Sequence, residues 1–357
     1  MAQYRAIFKN ANIAMVAAMA AAALAAGQAQ AATVINKWDA GLTADDPIVA
    51  NGTDKLVNIS GTAVANNTGF DLTITGGDGH VIKGENAQGQ FTVANGDNNG
   101  GKITVNGADA VLTIGGANNS GASITIKDFA NKAGKVVITG KGAESALVAT
   151  NITIGSAASG EASRAAAGEA PAASSAIIEI GASGSIGAAA TTEKFNILNG
   201  GKLLFTKAAT ATDSKAASKN GITVDGGTIA VEDSGNGLVE GNVKVQAGSI
   251  EIGGVKNATS LKVSGDLSFL GGSLSIAENG TLTLAKADSA PTLDLSKATV
   301  TNSGTIDLGA IKNETTAKLT MTTAQYDVVF AGKVTGSGKH ANTHLEVYVD
   351  GLSLIHI

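Results

Sequence analysis

The feature that most restricts what this chain can build is a recurring triplet: an apolar residue, a polar or small residue, then a second apolar residue, set between glycine and asparagine turns. It occurs as Leu72-Thr-Ile74, Phe91-Thr-Val93, Ile103-Thr-Val105, Leu112-Thr-Ile114, Ile124-Thr-Ile126, Val136-Val-Ile138 and Ile152-Thr-Ile154. Successive starts advance by 19, 12, 9, 12, 12 and 16 residues, with Val81-Ile82 inside the longest gap. Apolar side chains at i and i+2 are the period-two signature of a half-buried strand. Asn95-Gly96, Asn106-Gly107, Asn199-Gly200, Asn220-Gly221 and Asn279-Gly280 supply turns, because both residue types tolerate positive φ.

The second half tightens into one phrase, apolar-x-apolar, a turn, then apolar-x-apolar again. It reads Ile222 to Val231, Val243 to Ile252, Leu261 to Phe269, Leu274 to Leu284 and Val300 to Leu308. Units this small cannot bury their own apolar side, so recurrence at roughly 20 residues calls for stacking on neighbours. The expected fold is therefore all-β: a parallel β-helix, or solenoid, of about 22 residues per coil, about fourteen coils in all, following an N-terminal signal helix. An antiparallel alternative turns Val224-Asp-Gly-Gly-Thr228 into a hairpin, since Asp-Gly favours the type I′ turn, and yields a β-sandwich. Composition tips the balance. Only twelve residues are aromatic (Phe 8, Tyr 3, Trp 1), so no large side chains mark a sandwich centre.

Residues 1–31 have the order of a secretory signal. Arg5 and Lys9 precede an uncharged apolar run from Ile13 to Ala26, too short to span a bilayer, and Ala29-Gln30-Ala31 offers a small-residue cleavage site. Removing Arg5 and Lys9 takes the formal charge from −5 to −7 and leaves Arg164 as the one arginine. Nucleic acid is a poor partner for such a surface, which lacks basic patches to neutralise phosphates. Cysteine is absent, so nothing is stapled by disulfides. The expected organisation is a signal peptide at 1–31, a first β-helical stretch at 32–155, an Ala/Ser-rich insert at 156–176 and a second β-helical stretch at 177–351. A further polar break is expected at 208–219.

The alanine-rich signal, the lack of cysteine and the glycine-punctuated aliphatic phrases over about residues 48 to 310 together resemble the passenger regions of autotransporter adhesins, the type V secretion family of Gram-negative bacteria. That resemblance implies a right-handed β-helix at the cell surface, carried there by a C-terminal outer-membrane translocator barrel that this chain lacks. Leu352-Ser-Leu-Ile-His-Ile357 is the translation of the transposon-end adapter CTGTCTCTTATACACATC, so residues 352–357 are expected to be an adapter-derived tail rather than natural sequence.

No catalytic, cofactor-binding or metal-binding residues are expected. His340 and His344 have an i, i+4 spacing, but Gly338 to Leu345 lacks helical periodicity and Glu346 is the one nearby acid; a solvated turn is the plainer reading. Gly76-Gly-Asp-Gly-His80 resembles the start of a calcium-binding nonapeptide, yet Asp78 stands in the wrong slot and the motif does not recur. A polysaccharide lyase needs an Asp cluster and an Arg or Lys base, and Arg164 sits in the low-complexity insert. No G-x-S-x-G elbow occurs. What remains is an adhesin that binds cell-surface glycans or matrix proteins of a host or another bacterium through an extended polar face. The alternatives are a passive stalk or coat, and a lyase-like β-helix enzyme.

Overall fold

The computed structural model describes residues 102–115, 123–139, 145–157, 176–181, 184–206, 214–232, 234–253, 257–286, 289–309, 317–336, 345–350 and 352–356, with strand fragments at 34–35, 48–50, 58–59, 71–74, 80–82 and 90–92. The signal segment and almost all of the Ala/Ser-rich insert lie outside the described residues. Within them the chain is a parallel β-solenoid whose register stacks the apolar positions of successive strands on one another.

Each coil visits three faces in order, here called A, B and C. On face A, Ile103 pairs with Phe129, and the stack continues through Ile152, Phe195, Ile222, Val243, Leu267, Leu293, Leu319 and Val347. All ten are buried. The same register extends back through Leu72 to Ile48. Face B stacks Leu112, Val136, Ile178, Leu203, Ile229, Ile250, Leu274 and Val300. Face C stacks Ile124, Leu147, Ile186, Ala216, Val239, Val263 and Leu284. Burying one such aliphatic is worth about 1.5–3 kcal/mol, but only once the coils on either side exclude water from it. Phe129, Phe195, Phe205 and Phe269 are also fully buried, so the ladders are not purely aliphatic.

The hairpin alternative does not occur. Ile222–Val231 is one strand that bends at Asp225–Gly227 and pairs in parallel with Val243–Ile252 over both of its arms. Asp225-Gly226 turns the corner from face A to face B. The repeated phrase thus marks a corner rather than a whole coil. Ile222 to Val231 covers faces A and B, Leu261 to Phe269 covers C and A, and Leu274 to Leu284 covers B and C.

Coil length varies about the expected 22 residues and mostly exceeds it. The advance on face A is 21 residues from Ile222 to Val243, 26 from Leu267 to Leu293 and 28 from Leu319 to Val347. Between Ile152 and Phe195 it reaches 43, because the Ala/Ser-rich insert enters there. From Ile48 to Val347 the ladder therefore holds twelve positions, fewer than the expected fourteen. The insert is flanked by ordered backbone: the Ser156 amide donates to the Asn199 carbonyl at 3.3 Å, and Ala176 opens a strand of face B. The polar break expected at 208–219 is only partly a break. Ser214–Ala217 is a rung of face C, with Ala216 and Ala217 buried and the Ser214 hydroxyl donating to the Gly181 carbonyl at 2.6 Å.

One element departs from strand altogether. Helix α1, Thr323–Ala331, replaces the face B strand in the coil that begins at Ala317. Val300 and Asn302 form the last rung of that face, and α1 lies against it with Val329 buried and Tyr326 and Phe330 packed on the core. Asn302 stands where Ile276 and Ile252 stand one and two coils earlier. Its amide donates to the Val329 carbonyl at 2.7 Å, and its own oxygen accepts from Gly304 N at 3.2 Å. Gln325 ties the helix start to the same coil, donating to the carbonyls of Leu295 at 2.7 Å and Ala298 at 2.6 Å. Residues Leu352–His356 fold back antiparallel on Leu345–Val349.

Candidate functional site

Because inward positions are occupied by the ladders, whatever this chain does to another molecule is done by outward side chains. Alternation along each strand makes those outward positions stack into columns as regular as the core. They separate by charge. Near the start of face A, the Asn151 amide donates to the Asp128 carboxylate at 2.7 Å. Further on, face A presents Lys244, Asp294 and Lys318 at the one stacked position or beside it. Lys318 lies 5.9 Å from the Tyr348 ring centroid, and the Tyr348 hydroxyl donates to Glu346 at 2.5 Å. That hydrogen bond, with burial and the adjacent negative charge, holds the Tyr348 phenol above its ordinary pKa.

Ion pairs bridge neighbouring strands elsewhere. Lys135 meets Glu179 at 2.6 Å, Lys202 meets Glu232 at 2.5 Å and Lys215 meets Glu240 at 2.7 Å. At the corner entering face A, Asp266 accepts from Lys286 at 2.8 Å and from the Thr292 amide at 2.9 Å, while its own amide donates to Asn242 Oδ1 at 2.8 Å. These groups are partly solvated, so each pair contributes about 0–1 kcal/mol and serves to align coils. Face B is different between Thr228 and Thr301. One outward column there is Thr228, Ser249, Ser273 and Thr299; the next is Glu251, Ser275 and Thr301, in register with the buried Ala230. The Thr228 and Ser249 hydroxyls are 3.0 Å apart, and Ser249 donates to Glu251 at 2.9 Å.

Among the described residues no three His, Asp or Glu side chains gather closely enough to hold a metal ion. His340, His344, Asp78 and Arg164 lie outside the described residues; His80 opens a strand of face B. Glu346, the acid nearest the two C-terminal histidines in sequence, is engaged by Tyr348. No described helix is long and apolar enough to cross a membrane. The hydroxyl columns of face B escaped the sequence reading, although every member is visible in the phrases. Locating them requires the register, which alone says that Thr228 sits beside Ser249 rather than beside Thr223.

Comparison with protein-family models, with curated proteins and with solved structures gives no match.

Proposed function

We propose that this chain is an exported surface passenger of the autotransporter type and that it acts as an adhesin, binding cell-surface glycans or matrix proteins through its outward columns. The observation that carries the reading is the division of labour in the solenoid. Inward positions are closed apolar stacks, while most outward positions carry polar side chains coil after coil. An array of that kind offers many weak, equivalent contacts, which together hold a large partner more firmly than any one could. The signal-like order of residues 1–31 supports export, and the lack of cysteine is compatible with passage through an oxidising compartment without cross-linking.

The test uses purified protein spanning residues 32–351 on cultured epithelial cells and on immobilised mucin. Saturable retention that a tenfold excess of unlabelled protein abolishes is the expected result. Retention no greater than that of an unrelated β-solenoid would overturn the adhesin reading and leave the passive stalk. A separate experiment, expressing the full chain in a Gram-negative host and locating it by surface proteolysis, tests export.

A further inference from the structure

Resting on the adhesive reading, we propose that face B between Thr228 and Thr301 is the contact surface, and that its partner is an uncharged polysaccharide. Three observations converge on that stretch. It is open: the strands Ile222–Val231, Val243–Ile252, Ser273–Ile276 and Thr299–Asn302 lie side by side in parallel register, and Glu251, Ser275, Thr299 and Thr301 are exposed. It is bounded: α1 covers the position after Thr299–Asn302, and the Lys202–Glu232 ion pair stands before Thr228. It is nearly neutral: across both columns Glu251 is the one charged side chain, whereas face A carries Lys244, Asp294 and Lys318.

Charge decides which partner fits. Between Thr228 and Thr301 a nucleic acid or acidic glycan would meet one carboxylate and no cation in either column, Lys202 just before them being paired with Glu232, on a chain of formal charge −5. A basic protein surface would find a single anion. A neutral glycan presents hydroxyls that both donate and accept, and Ser and Thr hydroxyls do the same, so either partner can adjust to the other without burying an unpaired charge. Four rungs at about 4.8 Å give a hydroxyl strip about 14 Å long, parallel to the solenoid axis, along which an extended chain can lie. Contacts to such a flat strip are individually weak and accumulate along the polymer.

The experiment is affinity electrophoresis of the full chain through gels containing dextran, hydroxyethylcellulose or polygalacturonate. The variant joins Ser273→Ala, Ser275→Ala, Thr299→Val and Thr301→Val, all outward changes, with hydrogen exchange of the buried ladders as the check that it is folded. The proposal expects at least one neutral polymer to retard the parent chain, and expects the folded variant to lose retardation about tenfold. Lys262→Ala, an exposed outward change on face C and away from the proposed surface, should leave neutral retardation unchanged. A folded variant retarded as strongly as the parent, or a parent retarded by no neutral polymer, overturns the assignment. The cell-binding assay separates the two levels of failure. If the hydroxyl-stripped chain still binds cells as the parent does, adhesion stands and this face is wrong; if the parent binds no cells, adhesion itself fails.

Discussion

Replacing Gly248 with alanine should injure the solenoid where it stands and nowhere else. Gly248 turns the chain from face A to face B with φ at +99°, a region in which an L side chain costs about 1–2 kcal/mol. A Cβ there would also lie 2.1 Å from the Gly227 carbonyl oxygen, on the coil directly before it. Gly272, one coil later, repeats the arrangement against the Gly248 carbonyl at 2.3 Å. Backbone cannot rotate aside as a side chain does, so the coils must part locally, at a cost of about 1–3 kcal/mol more. The total of about 2–5 kcal/mol falls on interfaces between neighbouring coils. Native-state hydrogen exchange reads it directly: amides of Ile222–Val231, Val243–Ile252 and Ser273–Ile276 should exchange at least about 30-fold faster, while those of Ile103–Val105 and Ile152–Ile154 stay protected. Lys262→Ala, on an exposed outward position of face C, serves as the neutral control. An alanine variant with unchanged exchange would refute the close stacking of corners. Loss spread evenly over every rung would refute the one-dimensional cohesion.

Truncating the core gives a companion prediction: Leu282→Ala, buried between Leu261 and Ile306 on face C, should destabilise its neighbouring coils by about 2–5 kcal/mol in the same exchange experiment. Asn302→Ala leaves the buried Val329 carbonyl without its donor and should release α1 at a cost of about 1–3 kcal/mol, seen as lost protection confined to Thr323–Ala331. The Tyr348 phenol should ionise above the ordinary value of 10.0, and Glu346→Ala should bring it back down, measured as the ultraviolet titration difference against Tyr348→Phe. Its sign for stability follows. Above pH 10.0 the unfolded phenol loses its proton while the folded one keeps it, so this contribution is whole below that pH and fades as alkalinity rises through the folded pKa.

The strands and their stacking into a parallel solenoid were legible because period two survives in most rungs; which corner each phrase rounds was not, because a triangular coil has three similar corners. Ile222 to Val231 and Leu274 to Leu284 read alike, yet one rounds the A–B corner and the other the B–C corner. Nothing local distinguishes them, and only stacking against the neighbouring coil does. Ser214–Ala217 read as part of a polar break because alanine and serine carry little apolar signal, although Ala216 and Ala217 are buried in the ladder. Helix α1 did leave a trace: Thr322 with Gln325 follows the Thr-x-x-Gln capping pattern, and Tyr326 with Phe330 has helical i, i+4 spacing, the rings 4.8 Å apart. That trace is nine residues long and breaks a run of strand phrases, so the strand pattern overrode it. The face B hydroxyl columns were invisible for the same reason as the corners: side-chain identity lies in the sequence, adjacency in the register.

Adjacency can be measured with paired cysteines, and the chain has none of its own to interfere. Disulfides form between residues whose Cα atoms are about 4.4–6.8 Å apart, which spans the distance between register partners on adjacent parallel strands. Thr228 and Ser249 are such partners, both outward on face B. Thr223 and Thr228 would instead face one another if Asp225-Gly226 closed a hairpin. The solenoid predicts rapid oxidation of the Thr228→Cys, Ser249→Cys double variant and persistent free thiols in the Thr223→Cys, Thr228→Cys double variant. The reverse outcome would contradict it.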